Sequence, residues 1–161
     1  DDPNPVLYFE HKKLYRGVSG EVPTESYSIC LGKAKIVKKG KHLSIITYGL
    51  GVHWALEYSK NSDYDVEILD LRTLMPLDSE SIFKTVNKTN RVLILHEDNI
   101  TGGIGAEISS LISENCFESL DAPILRLGSI DTPTPFSDSI ENDIFLPVQK
   151  IEKTINKLMS Y

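Results

Sequence analysis

Along most of this chain, short apolar runs alternate with segments whose apolar residues have helical spacing. Five runs are too short for helices and rich enough in β-branched residues to predict buried strands, at residues 34–37, 43–48, 66–71, 92–95 and 124–127. In four other segments the apolar residues recur every three or four positions, which predicts amphipathic helices near residues 52–61, after Asp78, near residues 104–115 and after Pro147. Strands that alternate with helices predict an α/β fold, a three-layer sandwich around a mostly parallel sheet.

The first 33 residues do not follow this alternation. Residues 6–9 form a short apolar run that predicts a strand, whereas residues 17–24 contain two glycines, a proline, a serine and a threonine. That composition is typical of a linker, so the main domain is predicted to begin near residue 34. Just after it, the basic run at residues 38–41 contains a glycine between lysines, and we interpret it as a hairpin turn between the first two strands.

Composition and charge exclude several classes of protein. With 161 residues, 40% hydrophobic and 25% charged, the chain has the size and balance of one globular domain. Its net charge of −6 argues against a nucleic-acid-binding surface. The two cysteines, Cys30 and Cys116, form no C-x-x-C motif, which fits a reducing compartment. Because no apolar segment approaches about 18 residues and no signal peptide is recognisable, we predict a cytoplasmic protein without membrane contact.

Residues 92–115 contain the features that most suggest a site. After the predicted strand come three titratable side chains, a favourable helix N-cap residue and three glycines: His96, Glu97 and Asp98, then Thr101, then Gly102, Gly103 and Gly105. Open α/β sheets bind ligands beyond the carboxyl ends of their strands, where this turn would lie. The glycines, however, lack the third glycine of the dinucleotide-binding G-x-G-x-x-G pattern, and acidic residues precede them. We therefore predict that they pack closely against a neighbouring strand or a second subunit.

No catalytic or metal-binding constellation emerges from the residue pattern. His96 and Glu97 lie where acid–base chemistry would be expected, but neighbouring strand residues point to opposite faces of a sheet. None of the four histidines has the spacing of a helical zinc site. We therefore predict no catalytic, cofactor-binding or metal-binding residue in this chain. The residues predicted for a subunit interface are His96, Glu97, Thr101, Gly102 and Gly103.

Six segments, in the same order and over the whole chain, resemble one family. They are residues 4–16, 32–36, 70–78, 96–108, 122–126 and 131–136, the last reading Asp-Thr-Pro-Thr-Pro-Phe. All are similar to the β subunits of 2-oxo-acid dehydrogenases, which are the thiamine-diphosphate-dependent decarboxylating components of large lipoyl complexes. Residue His11 after Glu10 matches some pyruvate-type members, whereas the His96-Glu97 pair and the glycine turn lean toward the branched-chain type. The resemblance therefore does not decide which 2-oxo acid is the substrate.

The resemblance implies a domain order and a parent reaction. Residues 34–161 would be the C-terminal, transketolase-like domain, residues 1–16 a remnant of the preceding pyrimidine-binding domain, and residues 17–33 a linker. The sheet would have five strands, with the one at 34–37 antiparallel. The parent oxidoreductase would decarboxylate a 2-oxo acid on thiamine diphosphate and magnesium, in the cytoplasm or, in a eukaryote, the mitochondrial matrix. Because the family's catalytic and cofactor-binding residues lie in other domains, we expect this chain alone to bind no cofactor and to be inactive.

The resemblance also implies partners. They are an α subunit, a second β subunit and the basic peripheral binding domain of a dihydrolipoyl acyltransferase. The positions that match the family's docking residues are Asp121 and Tyr161, where side-chain and terminal carboxylates would pair with arginines.

Two alternatives remain. One is the equivalent domain of another thiamine enzyme, such as a transketolase, which the segment at residues 9–16 disfavours. The other is a free-standing, flavodoxin-like nucleotide-binding module, which the missing phosphate loop disfavours.

Overall fold

The five predicted strands form one sheet with a single antiparallel member. The computed structural model describes residues 3–161. Its strands are β1 (Lys35–Lys38), β2 (Leu43–Thr47), β3 (Val66–Asp70), β4 (Val92–Asn99) and β5 (Leu125–Ser129). They lie side by side in the order β1-β3-β2-β4-β5. β1 is antiparallel to β3 and the other neighbours are parallel, which confirms the predicted fold class and the predicted antiparallel strand.

Helices connect the strands, and the last helix follows the last strand. They are α1 (Leu14–Gly17), α2 (Leu50–Lys60), α3 (Ser79–Thr89), α4 (Ile104–Cys116), α5 (Asp138–Ile140) and α6 (Ile151–Met159). Shorter 3₁₀ or π turns lie at Phe117–Ser119, Glu141–Phe145 and Val148–Lys150. The turns at residues 138–145 were not predicted, because Phe145 is their one buried residue and they present no apolar stripe. Within the described residues no helix has the length and apolar character needed to cross a membrane.

Neighbouring residues of the central strands supply two cores, one on each face of the sheet. One core combines Leu43, Ile45, Ile68, Leu93 and Leu95 of the strands with Ala55 of α2 and with Ile151, Ile155 and Leu158 of α6. The other combines Ile46, Leu69 and Ile94 with Ile82 and Val86 of α3 and with Ile108 and Ile112 of α4. Helices thus cover both faces of the sheet, and the predicted three-layer sandwich is confirmed.

The turn at residues 38–41 does not close a hairpin, so that prediction is wrong. β1 does not pair with β2; it pairs with β3, which lies between β1 and β2 in the sheet. The turn itself packs on the beginning of β3, where a Cβ on Gly40 would lie 2.2 Å from backbone atoms of both Val66 and Glu67. Only glycine allows this approach, and the approach carries the chain from the outer strand to the centre of the sheet.

Residues 3–31 lie outside the sheet. The strand predicted at residues 6–9 is not formed, and the four side chains from Val6 to Phe9 are 69–88% exposed. Tyr27, Ile29 and Leu31 are exposed as well. An extended apolar run becomes a strand only when a neighbouring strand offers it hydrogen bonds, and no strand among residues 3–161 pairs with this one.

Candidate functional site

β4 continues through the polar residues after its apolar run, and this continuation places His96 inside the protein. The side chain is completely buried, and its Nδ1 lies 3.0 Å from the carbonyl oxygen of Asp98. Because a carbonyl oxygen can only accept, Nδ1 carries the proton and Nε2 has a lone pair, for which the described residues supply no partner. Burial lowers the pKa of His96, so the imidazole is neutral at pH 7.

Three glycines close around the imidazole of His96. A Cβ would lie 2.8 Å from ring atom Cε1 if placed on Gly103, 2.6 Å from Nε2 on Gly105, and 2.7 Å from Cε1 on Gly128. Such contacts are too short for any side chain, so all three positions require glycine. The close-packing interpretation is therefore confirmed for Gly103 and Gly105, whose packing partner is a histidine of the same chain, whereas a Cβ on Gly102 would meet no atom within 4 Å.

The predicted N-cap of α4 is wrong by two residues. The helix begins at Ile104 with Gly103 as its N-cap. Thr101 instead contacts the loop after β5: its N–H donates to Oδ1 of Asp131 at 3.0 Å and its hydroxyl to Oδ2 at 2.6 Å. These hydrogen bonds lower the pKa of Asp131. The side chain that would have capped the helix thus joins two loops at the carboxyl edge of the sheet.

Glu97 points away from His96, as neighbouring residues of a strand do. Its carboxylate is 36% exposed, and its Oε2 lies 2.9 Å from Nε2 of His11. The pKa of Tyr48, at the end of β2, is raised first by burial and then by the carboxylates of Asp98 and Glu97. His96 and Glu97 therefore cannot act together as an acid–base pair, and the edge between β2 and β4 has an acidic rim.

We expect deletion of residues 1–16 to change the free energy of unfolding by no more than about 1 kcal/mol. The apolar side chains at residues 6–9 are exposed, and the contact of His11 with Glu97 is a partly exposed pair of a kind worth about 0–1 kcal/mol. Urea denaturation of both forms measures the change. The variant His11→Ala should account for most of it, and a loss of several kcal/mol on deletion would show that the segment packs into the core.

The structure separates the five predicted interface residues into two groups. Glu97, Thr101 and Gly102 are at the surface and remain the predicted contacts with a second chain. His96 and Gly103 are buried, so neither has surface left for a subunit contact. His96 and Gly103 instead contact each other beneath the surface of the turn.

The two predicted docking residues, Asp121 and Tyr161, are both exposed. Oδ2 of Asp121 lies 3.2 Å from Nη1 of Arg91, a partner that the sequence analysis missed because 30 positions separate the two residues. An open groove of about 700 Å³ lies beside Asp121. Its lining includes Phe117, Glu118, Leu120, Pro123 and Ile124. This surface thus combines an apolar floor with carboxylates.

The side chains of residues 3–161 are not arranged to fit thiamine diphosphate or its magnesium ion. In the part of the chain that the structure describes, no three histidine, cysteine, aspartate or glutamate residues are placed to hold a metal ion. The glycine turn before α4 has no room for a diphosphate, because the ring of His96 fills it. The carboxylates of Glu97 and Asp98 at the same edge would repel such an anion.

We expect the 161-residue chain by itself to bind thiamine diphosphate and magnesium no more tightly than the millimolar range, about −4 kcal/mol. The reason is the filled glycine turn and its acidic surroundings. Isothermal titration calorimetry measures the affinity, with an adenine nucleotide as a second ligand. A micromolar dissociation constant for either ligand would contradict the prediction.

Comparison with known proteins places the chain in a family. The profile of the transketolase C-terminal domain matches residues 32–151. The chain is 40% identical over 164 residues to the 2-oxoisovalerate dehydrogenase subunit beta of Bacillus subtilis (strain 168). It is 43% identical over 162 residues to the pyruvate dehydrogenase E1 component subunit beta of Porphyra purpurea. Both alignments cover 99% of this chain but 50% and 49% of the relatives, so the chain spans about half their length.

A solved structure shares the fold. It is described as a split gene transketolase, an inactive beta4 tetramer, and it matches with a TM-score of 0.71 at 22% identity. The match covers 88% of this chain and 46% of the other. The five-stranded sheet, the match to the family profile and the relatives lead to one conclusion: the chain belongs to the transketolase C-terminal domain family, and it is similar to the β subunits of pyruvate and 2-oxoisovalerate dehydrogenases.

Proposed function

We propose that this chain is the C-terminal assembly and docking domain of the β subunit of a thiamine-diphosphate-dependent 2-oxo-acid dehydrogenase. The observation that carries the proposal is the identity of 40–43% over 99% of this chain to β subunits of two such dehydrogenases. The parent enzyme would oxidatively decarboxylate a 2-oxo acid and pass the acyl group to a lipoyl arm. In this proposal residues 1–16 belong to the preceding pyrimidine-binding domain and residues 17–33 form the linker.

The assembly role is supported by an open groove beside the carboxyl ends of β2 and β3. It encloses about 650 Å³, and its lining includes the exposed side chains of Tyr8, Tyr27, Ile29 and Leu31. Clustered exposed apolar side chains mark surfaces that contact other proteins or domains. We propose that the preceding domain, the α subunit or a second β subunit covers this groove and the neighbouring surface at Glu97.

The docking role is supported by the surface around Asp121. An arginine of a basic docking domain would pair with a carboxylate that Arg91 already holds in place at 3.2 Å. The groove beside it offers Phe117, which is 75% exposed, to the apolar part of the same partner. Such a small interface would gain its association rate and its specificity from charge complementarity.

We expect Asp121→Ala, combined with removal of Tyr161, to weaken binding of the acyltransferase docking domain at least tenfold, about 1.4 kcal/mol. Removal of one partner of a desolvated ion pair at an interface costs about 2–5 kcal/mol. Surface plasmon resonance on the assembled enzyme measures the affinity, and turnover with a small artificial electron acceptor should survive. Arg91→Ala frees the carboxylate of Asp121 without removing it, so this control should not reproduce the loss. Unchanged affinity of the double variant would mean that the partner binds elsewhere.

The proposed reaction is tested on the full-length protein together with its α subunit. Reduction of an artificial electron acceptor should require a 2-oxo acid, thiamine diphosphate and magnesium. Parallel assays with pyruvate and with 2-oxoisovalerate decide between the two substrate types of the relatives. Absence of any 2-oxo-acid-dependent reduction would overturn the proposal.

A further inference from the structure

A groove separate from the surfaces described above lies between the end of α2 and the beginning of α6. It encloses about 410 Å³. Trp54, Tyr58 and Tyr64 line it, and all three are half-buried, packed on one side against the core on that face of the sheet. Their remaining surface faces the groove, which therefore has an aromatic floor.

The rim of this groove is acidic. Glu57, Asp63 and Glu152 line it, and none of its lining residues is a lysine, arginine or histidine. Glu57 is paired with Lys60. For Asp63 and Glu152, no cation among residues 3–161 lies within ion-pair distance.

The two unpaired carboxylates lie close to the aromatic floor. The pKa of Tyr58 is raised first by burial and further by the negative charges of Glu152 and Asp63. The phenol oxygen of Tyr58 also accepts a hydrogen bond from Oγ of Ser62 at 3.2 Å. Aromatic faces and uncompensated carboxylates thus converge on one groove.

We propose that this groove binds an arginine side chain carried by an extended basic segment of a partner protein. A guanidinium group is planar, stacks on aromatic rings and pairs with carboxylates, whereas a lysine ammonium is compact and strongly hydrated. An uncharged segment would bury Asp63 and Glu152 without a partner, which is unfavourable. The volume lies in the range of about 300–1,000 Å³ typical of small-ligand sites, so it admits a short segment. The proposal does not rest on the docking role of Asp121.

The first test compares immobilised peptides by biolayer interferometry on the native full-length protein. The peptides alternate alanine with arginine, with lysine, or with citrulline, which keeps the shape of arginine and lacks its charge. The arginine peptide should bind at least tenfold more tightly than the citrulline peptide and several-fold more tightly than the lysine peptide. Equal binding of arginine and citrulline peptides would overturn the proposal, and equal binding of arginine and lysine peptides would overturn the stacking on the rings.

The second test uses variants that keep side-chain size. Asp63→Asn with Glu152→Gln should lower the affinity for the arginine peptide at least tenfold. The control Glu80→Gln with Glu107→Gln removes the same charge from exposed positions on α3 and α4 and should leave the affinity unchanged. If both pairs lower the affinity equally, the binding reflects net charge and the groove is not the site.

A third variant separates this groove from the proposed docking surface. Asp121→Ala should leave binding of the arginine peptide unchanged. Trp54→Leu should reduce the preference for arginine over lysine, with circular dichroism to confirm the fold. Loss of peptide binding in Asp121→Ala, with no loss in the Asp63 and Glu152 variant, would assign the peptide to the other surface.

Discussion

Replacement of Lys88 by methionine is expected to lower the free energy of unfolding by about 3 kcal/mol, because it leaves a buried carboxylate without its cation. That carboxylate belongs to Glu67 on β3, whose side chain is completely buried. Its Oε2 accepts hydrogen bonds from Nζ of Lys88 and from the N–H of Gly40, while Oε1 has no partner among the described residues. Lys88 thus supplies the positive charge that makes the burial of Glu67 tolerable.

Urea denaturation at pH 7 measures this effect, and two variants control it. Lys84→Met changes an exposed lysine of the same helix and should alter stability by no more than about 0.5 kcal/mol. Methionine and lysine have similar helix propensities, so helix formation does not confound the comparison. Glu67→Leu added to Lys88→Met should restore most of the loss, because an apolar pair replaces the ionic one. Unchanged stability of Lys88→Met alone would contradict the account.

Gly105→Ala is expected to destabilise the protein by about 3 kcal/mol, the upper end of the usual cost of overpacking. The new Cβ would lie 2.6 Å from Nε2 of His96 and 2.8 Å from its Cδ2. The ring cannot move aside, because its Nδ1 is hydrogen-bonded to the carbonyl of Asp98 and two further glycines enclose it. At a helix position without steric hindrance, replacing glycine by alanine would stabilise the protein by about 1 kcal/mol. A loss of stability in Gly105→Ala would therefore itself indicate the clash with His96.

Thermal or chemical denaturation of a double-mutant cycle isolates the contact. In a His96→Ala background, Gly105→Ala should lose its penalty, because the clashing ring is gone. Gly20→Ala is the matched control, since a Cβ at Gly20 would meet no atom within 4 Å. If Gly105→Ala destabilises equally with and without the histidine, the glycine is needed for another reason.

Local pattern was enough to predict most of the elements. The apolar stripe after Pro147 predicted the last helix, and Ile151, Ile155 and Leu158 of α6 are buried as that stripe requires. The helix predicted after Asp78 begins at Ser79 with Asp78 as its N-cap, and Oδ1 of Asp78 accepts from the N–H of Ser81 at 3.1 Å. Both features depend on residues a few positions apart, and such short-range spacing is readable from the sequence.

Contacts between distant residues were not predictable in this way. Arg91 and Asp121 are 30 positions apart, His11 and Glu97 are 86 apart, and neither pair has a signature in the chain. The pairing of β1 with β3 likewise depends on how the turn at residues 38–41 packs on a strand that comes later.

The family and the absence of a recognisable catalytic motif were apparent from the sequence itself, because motif residues and their order are properties of the chain. The meaning of its most suggestive stretch was decided only by the tertiary structure. His96 and Gly128 are far apart in sequence, yet they share one buried contact with Gly103 and Gly105. Glycine spacing alone is compatible with a bound phosphate or with a closely packed side chain. Which of the two is present depends on the atoms that the fold places where a glycine Cβ would be.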